Sequence, residues 1–238
     1  MGSFDLRRFN SAQSLAQSAA VDWVEEISSH LTSGVFSTAF AGGRIAGNFF
    51  SEIAVLVKDR RVALTHMHFF WGDERCVPPT DPESNFRMAH ELLLAPANIP
   101  AGQIHRILGE DPPEKAAAAA EEELRSVVSA RLDDQAVLDL VLLGMGEEGH
   151  VASLFPGEPE PVITSRAVYR PVKAVKPPPL RVTLGYPALA AAREVWVLAS
   201  GAGKEAALRE SLKPNGNTPL ARVLRLRSFT RIYSDCEI

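Results

Sequence analysis

A chain of 238 residues with 46% hydrophobic and 23% charged residues has the length and make-up of one large soluble domain with a full core. Its formal net charge of −4, spread over both halves, argues against nucleic acid as the main partner, and no apolar run approaches the ~18 residues of a membrane span. Cys76 and Cys236, the two cysteines, make neither a disulfide framework nor a metal set; with no apolar h-region near the N-terminus, a cytoplasmic location is expected.

Ser11 is placed to cap a helix running to about Leu31, with Leu15, Ala19, Trp23 and Ile27 on one face. Val35–Ala41 reads as a strand ending in Gly42-Gly43, after which helical spacing resumes at Ile45, Phe49, Phe50 and Ile53. Met67–Trp71 is a short apolar strand that runs into Gly72-Asp73-Glu74-Arg75. A proline-rich loop from Pro78 to Pro82 precedes a helix over Asn85–Leu94, and Ile104–Ile107 is extended. Pro113 opens an alanine- and glutamate-rich helix through about Leu132. Leu138–Leu143 reads as a buried strand. Ala167–Val172 and Arg181–Leu184 look extended, and Val195–Ser200 is another buried strand, followed by a helix to about Leu212. Phe229–Ser234 is the last strand. Strands separated by helices predict one α/β domain over residues 1–238, with a mostly parallel sheet covered on both faces.

The segment that carries most chemistry is Leu138 to Pro156, in which a buried strand turns through Gly144, Gly146 and Gly149 and presents His150. Ligands bind at the carboxyl ends of such strands, and a histidine delivered there is a candidate general base. Gly144-Met-Gly-Glu-Glu-Gly149 fits a dinucleotide fingerprint, but Pro156-Gly157 cuts short any following helix and no acidic residue stands about 20 positions on to hold a ribose. In extended backbone Asp73 and Arg75 face one crevice; alone, Asp-Glu-Arg reads more simply as a surface ion pair. Gly201-Ala-Gly-Lys204 and Gly42-Gly-Arg44 both sit between strand and helix, where backbone N–H groups and a cation favour phosphate. Arg181 opens an extended segment after a proline run. Together these basic elements point to a phosphorylated small molecule. His66 and His68 share a strand face, yet no third metal ligand has suitable spacing; no G-x-S-x-G elbow occurs; and Cys76 reads as structural.

The ordered motifs resemble those of 6-phosphogluconolactonases, within the larger group that includes glucosamine-6-phosphate deaminases. They are Ala41-Gly-Gly-Arg44, Trp71-Gly-Asp-Glu-Arg-Cys-Val-Pro-Pro79, Asp81-Pro-Glu-Ser-Asn-Phe-Arg-Met88, Ile104-His-Arg-Ile107, Leu138 to Gly157, Arg181-Val-Thr-Leu-Gly-Tyr-Pro-Ala-Leu189, Gly201-Ala-Gly-Lys204 and Pro219-Leu-Ala-Arg-Val223. Deaminases usually carry Asp-Glu-Tyr at the position of Asp73-Glu74-Arg75, and an acidic residue in the run that here reads Val151-Ala-Ser-Leu-Phe-Pro156; both differences point to lactonase. The chain departs from the common lactonase pattern at Glu148, where aspartate is usual, at Arg44-Ile45-Ala46, and at Gly185-Tyr186.

The resemblance implies a three-layer, Rossmann-like domain that hydrolyses 6-phospho-D-glucono-1,5-lactone, a small sugar-phosphate lactone, to 6-phosphogluconate in the pentose phosphate pathway, without metal or organic cofactor. His150 is then the base that activates water. Asp73 orients His150 or binds sugar hydroxyls, and Arg75 serves either the carbonyl oxygen or the phosphate. Arg44, Arg181 and Lys204, with the N–H groups of Gly42 and Gly43, form the phosphate set. No nucleic-acid or membrane partner is expected, and the absence of heptads or an apolar seam is compatible with a monomer. The alternatives are glucosamine-6-phosphate deamination and a non-catalytic sugar-phosphate sensor.

Overall fold

The computed structural model describes residues 2–30 and 34–238. In chain order the elements are β1 (Ser3–Arg8), α1 (Ala12–Ser29), β2 (Phe36–Phe40), α2 (Arg44–Arg60), β3 (Met67–Trp71), β4 (Asp73–Arg75), α3 (Asn85–Ala89), α4 (Pro113–Val127), β5 (Arg131–Leu132), β6 (Gln135–Ala136) and β7 (Leu140–Gly144). They continue with α5 (Glu160–Ile163), β8 (Tyr169–Lys173), β9 (Leu180–Leu184), α6 (Tyr186–Ala191), β10 (Glu194–Ala199), α7 (Glu205–Ser211), α8 (Pro219–Leu226) and β11 (Phe229–Ser234). No described helix is long and apolar enough to cross a membrane.

Six strands form the central sheet in the order β1-β11-β10-β7-β2-β3, and every pairing in it is parallel. Beside it stands a smaller antiparallel sheet, β4-β9-β8. The α/β reading therefore holds, with a wholly parallel main sheet and helices packed along it. β7, β10 and β2 are buried almost throughout, as expected of strands covered on both faces.

The order has one reversal. From β2 the chain steps outward to β3; from β7 it steps the other way, to β10 and β11. β2 and β7 are neighbours but pair only through Thr38 and Ala39 with Leu140 and Val141, so their ladder stops short of the carboxyl ends. A crevice at the carboxyl ends of two such strands is where open α/β sheets bind ligands.

The helix faces follow the spacing of apolar residues. α1 buries Leu15, Ala19, Trp23 and Ile27 and is capped by Ser11, whose hydroxyl accepts from the Ser14 N–H; the predicted end at Leu31 lies outside the described residues. α2 buries Ile45, Phe49, Phe50 and Ile53 and packs against α1. Each fully buried Phe, Leu or Ile contributes about 1.5–3 kcal/mol relative to exposure. α4 turns Ala116, Ala117, Ala120 and Leu124 inward and lies on β8 and β9, a close approach that alanine permits.

Three expectations change. The alanine-rich helix stops at Val127, not Leu132, because Arg131–Leu132 pairs with Gln135–Ala136 around Asp133 and Asp134, both at positive φ. The helix over Asn85–Leu94 is α-helical only to Ala89 and widens into a π turn over His90–Leu94. β1, α6 and α8 were not foreseen.

His68 belongs to a chain of titratable groups. His68 Nδ1 lies 2.8 Å from His105 Nε2, and His105 Nδ1 lies 2.7 Å from Glu123 Oε1. The His105 ring stacks on Phe70 at 4.6 Å. Burial, and next the neighbouring His105, hold the His68 pKa below its ordinary value. As pH falls through the ordinary histidine value of about 6.5, the unfolded chain takes up a proton that native His68 resists, so stability falls across that window. Denaturant unfolding at about pH 7.5 and about pH 5.5 is expected to show a larger loss for wild type than for His68→Gln; equal losses would remove His68 from the pH response.

Candidate active site

The crevice between β2 and β7 opens into a cavity of about 700 Å³. All eight residues singled out from the sequence line it: Gly42, Gly43, Arg44, Asp73, Arg75, His150, Arg181 and Lys204. They come from the connections that follow three parallel strands, β2, β7 and β10, plus β4 and β9 of the small sheet.

His150 is fixed by the turn that follows β7. The Gly146 N–H donates to the His150 carbonyl at 2.9 Å, the Gly149 N–H donates to the Gly146 carbonyl at 3.0 Å, and Met145 bridges to Val151. Gly149 sits at φ +82, which a side chain would strain. Gly146 leaves room for the imidazole: a Cβ there would lie 2.0 Å from the His150 ring. Glu148 Oε1 lies 3.2 Å from His150 Nδ1, a charge contact without a hydrogen bond, and Nδ1 has no hydrogen-bond partner. Burial pushes the Glu148 pKa up, but its own backbone N–H and the charge of His150 outweigh that and hold it below the usual range. Glu148 is ionised at neutral pH and faces the imidazole.

Asp73 does not orient His150. Its Oδ2 accepts from Ser153 Oγ at 2.6 Å and its Oδ1 from Asn85 Nδ2 at 3.3 Å, while the carboxylate in contact with His150 is that of Glu148. Asp73 stays on the cavity wall at 5% exposure. This removes one of the two roles read for it from the sequence.

Glu74, the middle residue of Asp-Glu-Arg, turns away from Asp73 and Arg75, as strand alternation requires, and is buried. Its carboxylate accepts from the N–H groups of Arg75 (2.7 Å), Asn85 (2.8 Å) and Phe86 (2.8 Å), and from Ser84 Oγ (3.0 Å). Burial pushes its pKa up, and these four donors oppose the rise. The carboxylate thereby pins the start of α3 to β4 and places Asn85, whose Nδ2 donates to the Asp73 carbonyl at 2.8 Å. Asn85 in turn packs on Gly42: a Cβ at residue 42 would come within 1.8 Å of Asn85 Oδ1.

The cations fall into two groups. Arg75 and Arg181 stand opposite each other across β4 and β9, so their side chains share a face. Arg75 donates to the Glu83 carbonyl at 2.6 Å, and Arg181 donates to the Pro178 carbonyl at 3.1 Å and lies over the Phe155 ring. Burial, then the charge of Arg75, lower the Arg181 pKa, while Asp73, Glu83 and Glu148 oppose them. Burial, and then the charge of Arg44, lower the Lys204 pKa, while Asp235 and Glu147 oppose them. The phosphate set read from the sequence thus lines one cavity with Arg44 beside Lys204 and Arg181 beside Arg75. Next to Arg44, the first turn of α2 has no side-chain cap and no acidic residue. Its N–H groups and dipole favour an anion.

Among the described residues no group of three or more His, Cys, Asp or Glu is placed to hold a metal ion.

Residues 10–231 match the model of glucosamine-6-phosphate isomerases/6-phosphogluconolactonase. The chain belongs to this family. It is 40% identical over 157 residues to a 6-phosphogluconolactonase of Mycobacterium tuberculosis, an alignment that covers 64% of each chain. It is 35% identical over 210 residues to one of Streptomyces coelicolor, covering 85% of this chain and 80% of the relative. The solved 6-phosphogluconolactonase of Trypanosoma brucei superposes with a TM-score of 0.81 at 28% identity, over 98% of this chain and 97% of that one.

Within the family frame, sequence reasoning missed Asn85 and Ser153. Both stood inside motifs already noted, but their partners, Asp73 and Glu74, are distant or hidden in sequence. Glu148 stood out only as a departure from the usual aspartate. Gly146→Ala is expected to displace the His150 ring, read as a change in its ring proton and carbon NMR shifts with the overall fold retained. Unchanged shifts would show that the ring does not depend on the space above Gly146.

Proposed function

We propose that this chain is a 6-phosphogluconolactonase that hydrolyses 6-phospho-D-glucono-1,5-lactone to 6-phosphogluconate. The observation that carries the reading is a histidine on a rigid glycine turn, backed by an ionised glutamate, in the same cavity as two pairs of cations. The run from Val151 to Pro156 holds no carboxylate, which favours lactone hydrolysis over the proton shuttling of a deaminase.

In this reading Arg44 and Lys204, with the N–H groups of Gly42 and Gly43, hold the phosphate, and Arg181 closes that end from the side of Arg75. Asp73, held by Ser153 and Asn85, accepts from sugar hydroxyls. His150 takes a proton from water as the water oxygen bonds to C1. Negative charge moves to the carbonyl oxygen, where Arg75 stabilises it. Collapse breaks the bond between C1 and the ring oxygen, which takes its proton from the imidazolium. The carboxylic acid so formed loses its remaining proton to solvent, and no covalent enzyme intermediate is involved. Glu148 stabilises the imidazolium, a contact that substrate is expected to tighten. A lactone of this kind already hydrolyses in water, so a base and an oriented cation suffice.

The free thiols Cys76 and Cys236 suit a reducing cytoplasm, and we read residues 1–238 as one catalytic domain acting as a monomer on a freely diffusing substrate.

With the spontaneous rate subtracted, His150→Ala is expected to lower kcat by roughly 10²–10⁴ with little change in KM; near-wild-type kcat would remove His150 from the chemistry. Lys204→Ala is expected to raise KM for the phosphorylated lactone and leave turnover of unphosphorylated gluconolactone nearly unchanged. Equal losses on both substrates would overturn the phosphate assignment.

A further inference from the structure

A second cavity, of about 360 Å³, lies on the far side of the His150 loop. Its walls are Phe155-Pro156-Gly157, Tyr186 at the start of α6, the loop from Pro214 to Pro219, and the outward face of α8. None of its residues lines the first cavity.

Its chemistry is that of an anion site. Arg222 and Arg225 are three residues apart on α8, so they share a face, and both line the cavity. Arg222 lies over the Tyr186 ring, 5.2 Å from its centre, and its Nε is buried without a partner. Its carboxylate contact, Glu160, is 3.7 Å away on a side chain 70% exposed, beyond hydrogen-bond reach and open to solvent screening. Arg225 donates to the Gly216 carbonyl with one of its five donors. The amides of Asn215 and Asn217 stand on the same wall. A guanidinium pair with donors to spare, beside side-chain amides and an aromatic face, is built for a small phosphate- or carboxylate-bearing molecule.

Two links join this cavity to His150. Phe155 is a shared wall: it lines the second cavity, while its ring is 4.9 Å from the His150 ring and lies under the Arg181 guanidinium. The other link is backbone. The Gly149 carbonyl accepts from the Leu220 N–H at 3.1 Å, and a Cβ at Gly149 would come within 2.7 Å of Thr218. The turn that presents His150 is therefore seated on the loop and helix that carry the two arginines.

We propose that this cavity is a second ligand site, for a small anionic metabolite bound by Arg222 and Arg225, and that its occupancy is transmitted to His150 through Phe155 and Gly149. The ligand acts as an effector, because it reaches the base without entering the first cavity. The inference goes beyond the lactonase reading and does not depend on it, since its test uses no lactone.

Pyrophosphate, a compact polyanion that engages both arginines, is the probe. Its binding is measured by titration calorimetry at constant ionic strength on the full chain, as wild type, as Arg222→Gln/Arg225→Gln and as Arg44→Gln/Lys204→Gln. The last variant is expected to keep a pyrophosphate site, and in it pyrophosphate shifts the His150 ring resonances. The α8 variant is expected to weaken that site by about tenfold or more, as loss of two charge-assisted contacts implies. Should the glutamine pair not fold, Arg222→Lys/Arg225→Lys keeps the charges and removes the forks, and weaker binding is again expected. Citrate in place of pyrophosphate separates carboxylate from phosphate ligands by which binds more tightly. No binding to the Arg44/Lys204 variant, or binding indifferent to the α8 substitutions, would overturn the site. Binding without any response at His150 would overturn the coupling.

Discussion

The constraint on which the site depends is the reversal of strand order between β2 and β7. All six main strands run the same way, so their carboxyl ends reach one edge. Between β2 and β7 the chain steps in opposite directions, and residues of both connections, among them Gly42, Gly43, Met145 and His150, line the cavity that opens there. Gly144 and Gly42 face across it, close enough that a Cβ on Gly144 would be 3.4 Å from the Gly42 carbonyl. The loops after β2, β7 and β10 and the start of the small sheet then deliver their side chains to one volume.

Precision within that volume comes from a buried polar network behind its wall. Glu74 ties β4 to α3 through four donors, and Asn85 carries that order to Asp73 and to the Gly42 turn. Breaking such a buried polar network costs more than its net worth in the folded state, because the partners left behind lose their hydrogen bonds away from water. The glycines work on the same principle: their lack of a Cβ lets Asn85 and His150 approach backbone that any other residue would hold off.

Much of this was legible. β3 and β11 run as apolar or β-branched stretches bounded by turns, and they occupy the expected residues. The spacing of Leu15, Ala19, Trp23 and Ile27 gave the buried face of α1. β1 was not legible: Ser3–Arg8 carries Asp5, Arg7 and Arg8, and it is a strand only because β11 offers it an edge. α8 does announce itself, with Thr218 as N-cap and Pro219 in the first turn, but the surrounding glycine, asparagine and proline read as loop. In the site, His150, Arg75 and Lys204 were visible because local turns present them. The ties of Asp73 to Ser153 and Asn85 depend on tertiary structure, where residues 80 positions apart meet, and no spacing rule reaches that far.

The first turn of α2 lacks a cap that Ser11, Ser84 and Thr218 provide elsewhere, and like charges stand side by side at Arg75–Arg181 and Arg44–Lys204. The folded chain is therefore less stable than its core alone would make it, and an anion bound in the cavity would repair the deficit. Such linkage is worth about 2.7 kcal/mol at a hundredfold excess over the dissociation constant. In a cell, where unfolded chains are continually cleared, the abundance of this protein would rise and fall with the supply of its ligand, without any change in its synthesis.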